Sequence, residues 1–251
     1  MAARDSTSAP YRSAPVPGRV LPPVVDRVWR VEAAVPGRPK LRRAMVVVAD
    51  DRGRLLIHSA VALDDEGHEA LQALGRPAVL VVPNGHHRLD APHYLERYPD
   101  LEVYCPKLAR RRVQRVVPVT GTYEDYSAAH GITLRYLPGV IAHEGVLEHR
   151  GPDGLVLAFT DLLVDIPHQG GAFGLLYRAA IGTGVARVHR LYGSLIVRDR
   201  KALRRRLIEY AGDPTLSAVL LAHGPPVTHG AAEYLREIAD RLVSVRAAAT
   251  T

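Results

Sequence analysis

The chain has 251 residues, 47% of them hydrophobic and 24% charged, and 33 Lys+Arg against 26 Asp+Glu give a net charge of +7. That balance is ordinary for a globular protein, and a chain of this length can bury a substantial core without disulfides or metals to hold it. No stretch approaches the ~18 uninterrupted apolar residues of a membrane span, and the single cysteine, Cys105, excludes an internal disulfide and a multi-cysteine zinc site. A reducing cytoplasm is the expected setting.

Residues 1–24 contain Pro10, Pro15, Pro17, Pro22 and Pro23 among Ser, Ala and Arg, with no signal-peptide core. Too little apolar area is available there to offset the entropy of ordering, so an extended or disordered tail is expected. A single domain is expected over 25–246 and a short tail over 247–251. The alternation of residues 28–32 reads as a half-buried strand, and 44–49 and 55–57 as two more, joined by the turn Asp50-Asp51-Arg52-Gly53. The period then changes. Residues 64–74 read as a helix ended by Gly75, 78–82 as a buried strand, 91–98 as a helix, 101–104 as a strand and 107–113 as a helix. Further strands are expected at 132–136, 145–148 and 155–159, the last two joined by the hairpin signal Asp153-Gly154. Helices are expected at 174–180 and 200–211, a last buried strand at 216–221 and a closing helix at 231–245, with Leu235, Ile238, Leu242 and Val245 on one stripe. Strand-then-helix rhythm in both halves indicates an α/β layered domain.

Arginines cluster at 38–43, 110–115 and 198–206. Nucleic-acid binding would require these on one face with aromatics between them, and the sequence offers few, so arginine-covered helix surfaces are expected instead.

Four places join a strand end to residues that bind metals or move protons, and strand ends are where α/β proteins carry their ligands. They are Val82-Pro83-Asn84-Gly85-His86-His87-Arg88-Leu89-Asp90, the loop Leu137-Pro138-Gly139 with His143-Glu144, Phe159-Thr160-Asp161, and Ala222-His223-Gly224-Pro225-Pro226. Taken singly each has an ordinary explanation, such as a helix cap for Asp161 or a backbone hydrogen bond for His223. The other histidines, among them His68, His93, His130, His149 and His189, read as surface or helix-end residues.

The order of these four places resembles the metallo-β-lactamase superfamily across residues 26–245. The aspartate segment around Asp161 and the late-histidine segment around His223 are close to the family pattern. In the middle segment Val140 stands where a histidine is usual, and His143 follows three residues later. In the first loop Asn84 stands at the first histidine, while Arg88 and Leu89 fall at the aspartate and last histidine. Asn84, His87, Tyr98-Pro99 and His58-Ser59 resemble a divergent, largely uncharacterised branch in which His87, rather than His86, matches.

The resemblance implies an αββα sandwich of two mixed sheets flanked by helices. It also implies a metal-dependent hydrolase with a reduced site. The ligands would be His87, Asp161 and His223, completed by His86, His143 or Asp90, and Asp90 would orient or deprotonate a water. Zinc or iron suits imidazole and carboxylate donors, with one ion expected before two. The alternative is a metal-free binding or scaffold module in which Arg88 with His87 binds an anion or pairs with Asp161. A small molecule is the expected substrate, with neither nucleic acid nor a membrane as partner. The glycine-rich residues 169–184 read equally as a lid, a packed helical insertion or a homodimer contact.

Overall fold

The computed structural model describes residues 21–127 and 131–244. The alternating apolar residues at the start fold as an antiparallel meander of β1 (Pro23–Val25), β2 (Val28–Val35), β3 (Arg38–Ala49) and β4 (Arg54–His58). Asp50 fixes the tight β3–β4 turn by accepting the backbone N–H groups of Arg52 and Arg54 at 2.9 and 2.8 Å. Helical spacing then takes over. α1 (Asp65–Leu74) starts at Asp64, whose side chain accepts from the Gly67 N–H, and it returns the chain to β5 (Arg76–Val81), parallel to β4. α2 (Ala91–Arg97) and β6 (Glu102–Cys105) repeat the crossover, and α3 (Arg110–Val113) leads to β7 (Gly121–Thr122). The result is a seven-stranded sheet in chain order, antiparallel in its first half and parallel in its second.

The second sheet has four strands in the order β13-β10-β9-β8. β8 (Ile132–Arg135), β9 (Val146–Gly151) and β10 (Gly154–Phe159) form a meander whose hairpin turns at Gly154, φ +108. There a Cβ would sit 2.1 Å from the Thr215 carbonyl oxygen, so only glycine fits. A two-stranded pair, β11 (Leu163–Val164) and β12 (Arg187–Val188), encloses α4 (Gly171–Ala180). α5 (Arg190–Ile196) and α6 (Arg200–Ala211) precede β13 (Leu216–Leu221), which runs parallel to β10, and α7 (Ala231–Ser244) closes the fold.

Period-two alternation sorts the strands' side chains into layers. Met45 and Val47 of β3 join Leu71, Tyr94 and Val113 of the first helical layer. Val46 and Val48, between them, face Ala158, Ala218 and Leu220 of the other sheet. Leu157, Phe159 and Val219 turn outward onto Leu203, Leu207, Leu235 and Ile238 of α6 and α7. Helix, sheet, sheet, helix is therefore the order of layers, the αββα sandwich expected from the sequence.

Differences lie mostly in short or tertiary elements. The last residues of the expected N-terminal tail belong to the fold: Leu21 is buried and Pro23–Val25 pairs with β2, while the rest of that tail and the expected C-terminal one lie outside the described residues. The arginines of 38–43 lie in β3, not on a helix, and Arg43 is buried. His68 and His149 are also buried, and His130 lies outside the described residues. Cys105 is buried and free. Among the described residues no helix is long and apolar enough to cross a membrane.

The Arg43 guanidinium meets the Asp90 carboxylate in a buried ion pair, and Asp90 also accepts the Ala62 N–H at 2.9 Å. These contacts tie β3 and the loop after β4 to the start of α2. Breaking such a pair by removing one partner is costly, because it leaves a charge buried without compensation. Asp90→Ala is therefore expected to cost about 3–5 kcal/mol in urea unfolding. Arg43→Met with Asp90→Leu should recover most of that loss; a double variant as unstable as the single one would show that the pair is not the source.

Candidate metal centre

Most of the groups flagged at strand ends gather at one edge of the sandwich, with Ser59 beside them. Asn84, His86 and His87 follow β5, Asp161 follows β10, His223 follows β13, and Ser59 follows β4. His87, Asp161 and His223 each present one ligand atom, and these atoms lie within 4.8 Å of one another. Nε2 of His87 is 3.3 Å from Asp161 Oδ1, and Nε2 of His223 is 3.2 Å from the same oxygen. Both imidazoles are fixed from behind. Nδ1 of His223 donates to the Arg42 carbonyl at 2.7 Å, and Nδ1 of His87 meets Ser59 Oγ at 2.7 Å. Ser59 holds a left-handed backbone, φ 61, uncommon for a residue with a side chain and typical of over-determined positions near functional sites.

The donor set fits a cation. With Nδ1–H of His223 committed to a carbonyl, its neutral ring turns the Nε2 lone pair toward a carboxylate oxygen. That arrangement is repulsive unless the ring is protonated or a cation lies between the two. Tying Nδ1 to a backbone carbonyl or hydroxyl is also how proteins orient histidine ligands.

Electrostatics agrees with a site built around one retained negative charge. Burial raises the Asp161 carboxyl, but the neighbouring His87, His223 and His86 outweigh it and hold Asp161 well below the usual carboxylate range. His223 is disfavoured as a cation by burial and favoured more strongly by Asp161, so its pKa rises. For His87 burial wins over Asp161, and its pKa falls. Behind Asp161, the Asn84 amide donates to Asp161 Oδ2 and to Glu144 Oε2, both at 2.9 Å, while its oxygen accepts the N–H groups of His86 and His87. Glu144 is fully buried and also accepts the Leu162 N–H at 2.8 Å. Burial and the nearby Asp161 charge push its carboxyl up to about 8. Of the two carboxylates bridged by one amide, Asp161 keeps its charge and the fully buried Glu144 keeps its proton.

The remaining expected residues take other places. His86 is exposed, with Nδ1 3.6 Å from Asp161 Oδ2, and it lines the cleft without joining the tight cluster. His143 is half-buried near His86 and Arg112 and is outside the cluster. Asp90 does not line the cleft, because its carboxylate faces Arg43. Arg88 turns back to donate to the Gly85 carbonyl at 2.9 Å and stays out of the cleft. Glu144, Ser59 and Asn84 carry supporting roles that the sequence does not spell out; a lone acid in an otherwise apolar segment was the signal available for Glu144. The cluster lies in a cleft of about 460 Å³ whose walls include Arg38, Leu41, Ile181, Leu191, Tyr192 and Leu195. The glycine-rich segment forms α4, whose Tyr177 packs with Leu41, Val164 and Ile166, and it supplies Ile181 of that wall.

No protein-family model matches the chain, and no curated protein does. Solved structures do. The DIM-1 metallo-beta-lactamase superposes with a TM-score of 0.60 at 12% identity, over 88% of this chain and 96% of that one. A metallo-beta-lactamase from Hirschia baltica gives a TM-score of 0.56 at 12% identity, over 87% and 96%. The FIM-1 metallo-beta-lactamase of Pseudomonas aeruginosa in its mono-zinc form gives 0.57 at 13%, over 93% and 98%. The chain has the metallo-β-lactamase fold.

Glu144 makes stability depend on pH. It keeps its proton up to about 8 when folded but loses it near 4.5 when unfolded, so the folded chain binds more protons between those values. Its contribution is full below pH 4.5 and is lost as pH rises toward 8. Glu144→Gln, which cannot ionise, is expected to flatten the fall in urea-unfolding stability across that window; an unchanged slope would assign the fall to other groups.

Proposed function

We propose that the chain is a metal-dependent hydrolase with a single-ion site held by His87, Asp161 and His223. The observation that supports it most is the convergence of three donors from three separate strand ends, with both imidazoles anchored through Nδ1 so that Nε2 faces a common point. Three protein ligands with an open position is the arrangement of catalytic rather than structural zinc sites. Zinc or iron suits the donors, and the mono-zinc FIM-1 structure shares the fold. An ion bound there would lower the pKa of its water to about 7 and supply hydroxide at neutral pH. Asp161 would balance the ion's charge. Asn84 would keep Asp161 ionised and aimed, and Ser59 would hold His87 in register. His86 and His143, near the mouth, would meet the substrate or complete the coordination shell. Asp90 would act through Arg43 on the shape of the loop rather than on the water. The substrate is a small molecule admitted by the 460 Å³ cleft, and a cytoplasmic location remains part of this reading.

The metal-free reading has one observation in its favour: Asp161 already has His87, His223 and Asn84 around it, enough to satisfy it without an ion. The two separate cleanly. Protein purified without chelator or affinity-tag metal should carry about one zinc or iron per chain by elemental analysis, and His223→Ala or Asp161→Ala should lose it. Ser59→Ala should weaken metal affinity about 10–100-fold, as removal of a group orienting a ligand does. Absence of bound metal, with no thermal stabilisation by zinc, manganese or iron, would establish the scaffold instead.

A further inference from the structure

α5 has a cavity on each side. Leu191, Tyr192 and Leu195 face the metal cleft, while Arg190, Gly193 and Ser194 line a second cavity of about 380 Å³, and His189 borders both. Four guanidinium side chains surround the second cavity: Arg187 from β12, Arg190 from α5, Arg200 from the first turn of α6 and Arg241 from α7. Its floor is apolar and includes Val188 and Ile238. None of its described lining residues is acidic. Glu237 accepts from Arg241 Nη2 at 3.1 Å on the exposed face of α7. Arg241 Nη1 donates to the Ala186 carbonyl at 3.0 Å, and Arg190 Nη1 to that of Arg178 at 3.3 Å.

Arg187 is the unusual member. Its Nε is buried and has no hydrogen-bond partner among the described residues. Its guanidinium is packed over Gly182, where a Cβ would come within 2.4 Å of Arg187 Cδ. Burial, and then the like charges of Arg190 and Arg241, lower its pKa. An arginine does not escape such repulsion by deprotonating, since its unperturbed pKa lies above about 12. A wall of like charges over an apolar floor is costly until an anion enters it.

We propose that this cavity binds a phosphate-bearing organic ligand. A phosphate offers up to two charges and several acceptor oxygens to match forked guanidinium donors, which a single carboxylate does not. The floor would take the ligand's apolar body, and the volume suits a small ligand, for which sites run about 300–1,000 Å³. Because Val188 Cγ1 lies only 2.6 Å from where a Cβ on Gly193 would stand, α5 sits hard against β12. An anion bridging Arg187, Arg190 and Arg200 clamps β12, α5 and the start of α6 together, and with them the α5 wall of the metal cleft. The site does not depend on whether the metal cleft holds an ion.

Isothermal titration calorimetry of the purified protein with pyrophosphate, inorganic phosphate and phenyl phosphate tests this. One pyrophosphate per chain is expected, with phenyl phosphate binding more tightly than inorganic phosphate because of the apolar floor, and with affinity falling as salt rises. Arg200→Gln, at an exposed position that the fold does not need, and Arg187→Gln should each weaken binding about tenfold or more. Arg38→Gln, in the other cleft, should leave it unchanged. Co-sedimentation with phosphatidate vesicles that pyrophosphate competes away would place the phosphate on a lipid headgroup; no co-sedimentation would place it on a soluble molecule. Absence of heat with all three probes at millimolar concentration, or binding untouched by both Arg187→Gln and Arg200→Gln, would overturn the proposal.

Discussion

The edge of the sandwich that carries the site is organised around one largely enclosed negative charge. Asp161 sits at the end of β10 among two imidazole Nε2 atoms and an amide, and almost every polar contact nearby serves to keep it ionised and fixed. Burial alone would neutralise it. Three histidines outweigh burial, and the cost is displaced onto Glu144, which holds its proton in the same pocket. A site with a retained carboxylate and oriented imidazoles is prepared to receive positive charge, whether from a proton on His223 or from a metal ion.

The sandwich makes this possible by bringing distant residues to one rim. β4 and β5 are parallel neighbours in the first sheet, and β10 and β13 are parallel neighbours in the second, so all four strands end on the same side. Loops leaving those ends need only a few residues to meet. The rest of each strand is apolar on both faces, one toward the other sheet and one toward helices, and that two-sided burial gives the rim its rigidity. A rigid rim allows contacts as short as the 2.7 Å between Ser59 and His87 to be held by a residue in a left-handed conformation.

Much of this was legible in the residues. α6 and β13 run over the residues expected, since Asp199 caps the helix and an unbroken apolar run marks the strand. Asp161 and His223 stood out because each ends a buried strand. What failed to show were elements whose existence depends on tertiary pairing. β11, β12 and α5 are short, carry no strong periodicity, and are held by contacts with the rim. Arg43 was read as surface because arginine usually is; its burial depends on Asp90, forty-seven positions away, and no local pattern announces such a pair. The same pair explains why Asp90, two residues past the arginine of the first loop, faces away from the cleft. Choosing between His86 and His87 likewise required three dimensions, since adjacent residues in a loop differ only in which of them turns inward.

The asparagine at position 84 constrains what could replace it. A histidine here would be a small chemical change on paper. In this chain the amide donates to two carboxylates and its oxygen accepts two backbone N–H groups, four bonds that an imidazole, with two ring nitrogens, has no way to reproduce. Glu144 and Asn84 depend on each other, so a histidine at position 84 would leave Glu144 Oε2 without its amide donor beside Asp161.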